Sequence, residues 1–494
     1  MTKLSAWKRS FAVFLLCAAT AIAAPAQTLK VLVNFNGPNG EAPDLMSLIQ
    51  STDGNLYGVT YDGGDFGYGT VFKMTLDGAL TTLYSFCAET DCQDGVFPTG
   101  APVLATNGDF YGTTYNGGND STCVPRRTGC GTVFKLTPAG KLTTLYTFCA
   151  QPNCSDGDAP LGSLIQAVDG NLYGTTTQGG TVDSQCPLGC GTIFKVSPEG
   201  VLTTLHAFDY SDGYAPWAGV IQAIDGNFYG TTSDYNDCPN CPTGSGTVFR
   251  MTPGGAFTTM HYFTGPDGAN PFAPLVQASD GRLYGTTYGG GNENQMCDLV
   301  LITSGCGTIF RMSLDGHLRT VYDFCSQPNC SDGYYPEQGV IQGTDGNLYG
   351  TTIGGGNLFT LSPSGSFTTL QVFNYQTGLP PDNGLFQATN GLFYGATSGG
   401  GGYQDGTLFS LATGLEPFVS FLRPAGKVGQ AGPILGQGFT GTTSVSLNGI
   451  PASFTVVSDT YIRATVPAGA TTGYVTVTTP TGTLTSNVPF HVIR

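Results

Sequence analysis

The residues of this chain whose types could do chemistry lie in irregular stretches between short β-like runs: Asp62, Asp65 and Tyr68; Asp120, Arg126 and Arg127; Asp234, Tyr235 and Asp237; and Glu293. Two carboxylates facing each other across a cleft could work on a sugar as general acid and base. Carboxylates interleaved with Tyr and Arg equally suit recognition of a glycan or a protein surface. No spacing marks out one acid–base pair, so no catalytic set is expected and these positions are read as binding candidates. The histidines are His206, His261, His317 and His491, and each has a structural explanation in strand, turn or C-terminal module. A Ser-His-Asp triad or a histidine-ligated metal is therefore not expected. No Asp/Asn-rich loop follows the D-x-[DN]-x-[DN]-G calcium pattern with its distal Glu, and neither a metal nor a cofactor is expected.

Cysteine is the other reactive type, with 15 in the chain. Cys17 falls in a segment where Lys3, Lys8 and Arg9 precede the apolar run Phe11 to Ala23, with A-x-A sites at Ala21 and Ala23 or Ala24 and Ala26. Residues 1–26 read as a secretory signal peptide. The remaining cysteines form neighbouring pairs: Cys87 with Cys92, Cys123 with Cys130, Cys149 with Cys154, Cys186 with Cys190, Cys238 with Cys241, Cys297 with Cys306, and Cys325 with Cys330. In an oxidising compartment such pairs are disulfides by default. Connectivity does not follow from sequence alone, and local loops are its simplest solution.

The elements that must position these residues repeat. Asp53 to Phe86 contains DGNLYG, GTVF and LTTLYSF, and counterparts of its opening start at Asn107, Asp169, Asp225, Asp280, Asp345 and Asn390. Each copy holds four strand-like pieces, in the first copy Ser47–Gln50, Leu56–Thr60, Gly69–Lys73 and Leu80–Phe86. Four short antiparallel strands recurring at this period describe a β-propeller blade. Three of the strands occur seven times, whereas the fourth occurs once ahead of all the others, at Leu29 to Phe35. That N-terminal strand is expected to complete the last of seven blades and remove a free sheet edge. A D-G-x-x-P segment such as Asp94 to Pro98 connects one blade to the next.

With strands ordered from axis to rim, the tight Asp-Gly turns fall on one face. The long insertions and the cysteine pairs fall on the other, which is the candidate functional surface. Gln50, Gln166, Gln222, Gln277, Gln342 and Gln387 end the innermost strands, with Ala105 breaking the set, and are expected to bond neighbouring backbone or channel water. The tyrosines of the second strands, from Tyr57 to Tyr394, are read as blade packing. Beyond Glu416 alternating runs such as Val445–Gly449 and Gly473–Thr478 describe a β-sandwich.

The repeat motifs resemble the GloVer-type choice-of-anchor tandem-repeat proteins, a secreted bacterial family, over Thr28 to about Leu411. That resemblance carries no established activity, and many members look as if they end in a surface anchor. Here the C-terminal part instead resembles an IPT/TIG immunoglobulin-like domain, through Gly436–Phe439, Asn448–Ala452, Val457–Thr460 and Val466–Ala470. The expectation is an all-β protein: signal peptide 1–26, seven-bladed propeller 27–413, IPT/TIG domain 414–494.

Lys and Arg number 18 against 34 Asp and Glu, a net charge of -16, which argues against nucleic acid and anionic membrane as partners. No later apolar run approaches a transmembrane length. The chain reads as a monomer, secreted, periplasmic or at the cell surface, that binds an extracellular glycan or protein. A glycan-cleaving hydrolase or lyase and a structural envelope or matrix role are the alternatives.

Overall fold

The structure, a computed structural model, describes residues 27–44, 47–118, 129–233, 246–297 and 305–493. The first strand, β1 (Thr28–Asn34), is followed by the first blade: β2 (Ile49–Gln50), β3 (Leu56–Thr60), β4 (Thr70–Met74) and β5 (Leu80–Ser85), paired in that order. Five further sheets repeat the order. The seventh runs Phe386–Gln387, Phe393–Thr397, Thr407–Ala412 and finally β1, which pairs antiparallel from Thr28 opposite Ala412 to Asn34 opposite Thr407. The ring is a seven-bladed propeller closed by its N-terminal strand.

The repeat motifs are the packing of a blade written out. Asp53 accepts bonds from the Asn55 backbone N–H (3.1 Å), the Asn55 side chain (2.7 Å) and the Tyr57 hydroxyl (2.9 Å), which ties the turn between β2 and β3 to the strand leaving it. Tyr57 then stacks on Phe110 of the next blade at 4.3 Å, as Tyr173 does on Phe228 at 4.2 Å. The Gly after each tyrosine has a different reason. A Cβ on Gly112, Gly230 or Gly285 would sit 2.5 Å from the ring of Phe134, Phe249 or Phe310 on the adjacent strand. Only a bare backbone lets that ring lie flat across the blade.

The connectors are built as tightly. Asp94 is fully buried and accepts from the Tyr84 hydroxyl (2.8 Å) and the Ala88 N–H (2.9 Å). His206 and His261 replace the tyrosine in two blades and make the same bond, to Asp212 (2.9 Å) and Asp267 (2.7 Å). Their role is structural.

The glutamine ring is a lacing between blades. Each side-chain N–H donates to the glycine carbonyl of its own turn, as Gln50 does to Gly54 (3.0 Å), and each oxygen accepts a backbone N–H of the preceding blade. Thr389 donates to Gln50 at 3.0 Å, Thr106 to Gln166 at 2.9 Å and Val168 to Gln222 at 2.9 Å. The residue that breaks this ring is Leu104, not Ala105. Leu104 pairs with Phe110 as Gln50 pairs with Leu56. Innermost strands are also shorter than their sequence patterns, two residues at Ile49–Gln50 but nine at Val96–Leu104.

The C-terminal part is a two-sheet sandwich. One sheet orders Ser420–Phe421, Ala431–Leu435, Tyr461–Thr465 and Phe454–Ser458; the other orders Ile450–Pro451, Ser444–Leu447, Val475–Thr479 and Gly482–Thr485. Val419, Ile434, Phe439, Val445, Ile462 and Val477 fill the space between them. The sandwich rests on the turn face of the propeller. Thr460 Oγ1 donates to Thr52 O (2.9 Å), Gln437 Nε2 to Thr389 Oγ1 (3.0 Å) and Arg423 Nη2 to Ala167 O (3.2 Å).

Gly230→Ala tests the flat-ring argument: overpacking at this point should cost about 1–3 kcal/mol and lower the melting temperature. An unchanged melting curve would show that the blade yields without strain.

Candidate functional site

Loops between second and third strands meet the blade connectors on the face opposite the sandwich. Phe97 N–H donates to Tyr68 O (3.0 Å), Ala159 to Cys130 O (3.0 Å), Ala215 to Cys190 O (2.9 Å) and Tyr335 to Cys306 O (2.9 Å). Disulfides Cys87–Cys92, Cys149–Cys154, Cys186–Cys190, Cys297–Cys306 and Cys325–Cys330 brace this face. Cys130 is also disulfide-bonded, while Cys123, Cys238 and Cys241 lie outside the described residues.

Of the loop candidates, Asp120, Arg126, Arg127, Asp234, Tyr235 and Asp237 also lie outside the described residues. Asp65 and Glu293 are exposed on loop rims. Tyr68 meets the edge of Phe97 (5.7 Å), whose ring stacks on Tyr61 (4.7 Å). Asp62 is drawn into a group. Its backbone bonds Glu41 in both directions (2.9 and 3.1 Å), and burial first, then the charges of Glu41 and Asp44, raise its carboxyl above the usual range.

Asp44 belongs to a set that sequence reasoning missed. The residue following the connector proline stands just ahead of the paired Ile-Gln-type end of the innermost strand, and in blade order it is Asp44, Thr99, Leu161, Trp217, Phe272, Glu337 and Asp382. The Gly and the Pro of the connector repeat, whereas this position changes from blade to blade. Three carboxylates come from neighbouring blades, and Leu161, Trp217 and Phe272 come from three others. The apolar three line a cavity of about 210 Å³ in the channel, whose wall includes Ser47, Ser163, Gly219, Pro274, Gly339 and Gly384. Small residues at this level keep the axis open. Trp217 and Phe272 pack at 5.0 Å, Phe272 and Tyr288 at 5.4 Å, and Tyr288 stacks on Tyr335 at 4.6 Å, so an aromatic arc runs outward from the mouth.

The acidic side is electrostatically loaded. Burial pushes the Glu337 carboxyl up to about 8, and the charges of Asp382 and Asp44 push the same way. Asp382 is also raised, by burial and then by Asp44. It rises although Ser398 donates its hydroxyl and, at 3.1 Å, its N–H, with the Asn383 side chain adding a bond at 3.0 Å. The ion pairs His206–Asp212, His261–Asp267, Arg282–Asp280 and His317–Asp315 lie elsewhere in the propeller. The sets of three or more ligand-type atoms close enough for a metal are, among the described residues, sets of cysteine sulfurs.

A closed ring of four-stranded blades with a disulfide-braced face, followed by an immunoglobulin-like sandwich, is a repeat-propeller architecture. The Gloeobacter/Verrucomicrobia repeat model matches residues 21–241, 126–357 and 240–450, and the chain belongs to that family. An IPT/TIG domain matches residues 420–492. No curated protein matches the chain. Among solved structures, a streptogramin B lyase is similar at a TM-score of 0.51 and 15% identity over 78% of this chain and 97% of its own. A catalytically inactive virginiamycin B lyase from Staphylococcus aureus with quinupristin gives 0.52 and 15% over 78% and 99%. A fungal alcohol oxidase in complex with copper gives 0.50 and 12% over 95% and 100%. At these identities the likeness is one of fold. No helix among the described residues is long and apolar enough to cross a membrane.

The raised carboxyls make stability pH-dependent in a stated direction. Folded Glu337 keeps its proton between its ordinary value and about 8, where the unfolded chain has released it, so stability falls as pH rises through that window. Glu337→Gln should therefore raise the melting temperature more at about pH 9 than at about pH 5. An equal offset at both pH values in scanning calorimetry would remove the electrostatic load from Glu337.

Proposed function

We propose that the chain is an exported, non-catalytic binding protein that seats a glycan or a protein at the loop-face mouth of the propeller channel. Residues 1–26 serve as its signal peptide, 27–413 as the propeller and 414–494 as a spacer or second contact. The observation that carries this reading is the residue after each connector proline, apolar at Leu161, Trp217 and Phe272, which line the cavity, and acidic at Asp44, Glu337 and Asp382, whose charges act on one another across neighbouring blades. A sugar ring has an apolar face that stacks on an aromatic side chain and a rim of hydroxyls that donate to carboxylates. A lysine or arginine side chain of a protein would use the same two halves, stem against ring and charge against carboxylate.

A second reading rests on Glu337. A carboxyl that holds its proton near neutral pH beside other carboxylates is the arrangement from which glycan-cleaving enzymes draw a general acid. The binding reading is preferred because Trp217 and Phe272 line the cavity and pack on each other at 5.0 Å, a surface on which a sugar ring or a side-chain stem can lie.

A glycan array followed by titration discriminates. Trp217→Ala and Phe272→Ala should each weaken binding about tenfold or more, while Asp65→Ala, at an exposed rim position, should leave it unchanged. Equal affinity in wild type and both aromatic variants would sink the mouth as the binding site. Release of reducing ends from a polysaccharide panel, abolished by Glu337→Gln, would replace the binding reading with the hydrolytic or lytic one.

A further inference from the structure

Below the mouth the channel contains a second cavity, of about 310 Å³, against the immunoglobulin-like module. Its wall comes from both modules. Ile49, Val103, Leu104, Leu164 and Phe386 belong to the innermost strands, and Phe421, Leu422 and Leu435 belong to the sandwich. Leu422 also packs on the propeller core cluster that contains Leu104 and Leu48. The cavity touches the upper one at Ser163, which lines both.

Four of the polar side chains on this wall, Gln50, Gln387, Ser163 and Thr389, are already engaged. Gln50 bonds Gly54 O and Thr389 N–H, both at 3.0 Å; Gln387 bonds Gly391 O (3.2 Å) and Thr344 N–H (3.0 Å). Ser163 Oγ accepts from Ala101 N–H (2.9 Å), and Thr389 Oγ1 accepts from Gln437 (3.0 Å). Water in a cavity needs polar partners, commonly about three, and an apolar cavity that lacks them takes small apolar molecules instead. Leu104 sharpens the point. Six blades place a glutamine at this register, and the one blade with an apolar residue there is the one whose strand Val96–Leu104 walls this cavity.

We infer that the chamber between the innermost strands and Ser420–Leu422 of the immunoglobulin-like module is a binding site for a small apolar group, of the size of one or two aromatic rings or a short branched acyl chain. Its volume lies at the lower end of the range of small-molecule pockets, which begins near ~300 Å³. Because its floor is the second module, occupancy holds the two modules together, and binding and module docking are thermodynamically linked. The inference stands apart from the reading of the mouth, since it uses different residues and a different ligand chemistry.

The experiment is a fluorescence titration of the full mature chain with N-phenyl-1-naphthylamine, a neutral apolar probe. Wild type should bind saturably at one site. Leu104→Gln restores the residue of the other six blades and so removes an apolar side chain from the cavity wall, and Leu422→Trp fills the cavity. Either variant, with the melting curve of a folded protein, should weaken probe binding by about tenfold or more. Absence of saturable binding by wild type, or affinity retained in both variants, overturns the proposal. Glycan binding at the mouth, read in parallel, should be the same in wild type and Leu104→Gln, so failure of one site does not register as failure of the other.

Discussion

The whole architecture hangs on the ladder between β1 and Thr407–Ala412. Seven sheets arranged about an axis leave two unsatisfied edges at the seam, and an open edge is both a row of unpaired backbone groups and a template for association. Pairing Thr28–Asn34 with Thr407–Ala412 supplies the fourth strand of the seventh blade. The same seam is sewn on both sides. Gln50 of the first blade takes the Thr389 N–H of the seventh, and the Tyr394 hydroxyl donates to Leu76 O (3.3 Å). Closure is what brings Asp382 beside Asp44, residues at opposite ends of the propeller sequence, so the acidic side of the mouth exists only in the closed ring.

In a repeat protein the positions that recur are those every blade needs to fold, and the burial data bear this out. Tyr57, Tyr111, Tyr173, Tyr229 and Tyr394 are almost fully buried, and the residue after each Y-G pair, Val59, Thr113, Thr175, Thr231 or Ala396, is buried with them. Seven copies of a packing residue say nothing about a ligand. Specific recognition has to break the pseudo-symmetry, and it can do so cheaply only where the scaffold tolerates variation. The residue after the connector proline meets both conditions, because it follows a recurring Gly and Pro of the connector while its own type changes from blade to blade.

Much of the fold was legible because it is local and repeated: the strand count, the Asp-Gly turns and the unpaired fourth strand ahead of the first blade all follow from spacing. The site was not, for two physical reasons. Candidates were sought in the long insertions, where Asp65 and Glu293 prove to be exposed rim residues, whereas the mouth is made by single residues inside the shortest and most regular connectors. Aligning connectors on their prolines and asking which variable column gathers acids in neighbouring blades and large apolar residues in the others would have exposed Asp44, Trp217, Glu337 and Asp382. The glutamine ring shows the complementary error. Leu104 stands as far ahead of Tyr111 as Gln50 stands ahead of Tyr57, and only a comparison anchored on the tyrosines, rather than on residue type, finds it.

The acidic mouth costs stability, and that cost is informative. Thr99, Leu161, Trp217 and Phe272 show that a propeller of this kind folds with neutral residues at the same position. Three carboxylates on adjacent blades repel one another, lose hydration as they are enclosed, and respond by holding protons to higher pH, as Glu337 and Asp382 do. Local choices that oppose folding are expected where a protein acts on something outside itself. The partner that relieves the repulsion is one that donates hydrogen bonds or positive charge from the channel axis while lying against Trp217 and Phe272. The sandwich, docked on the turn face, leaves that approach open.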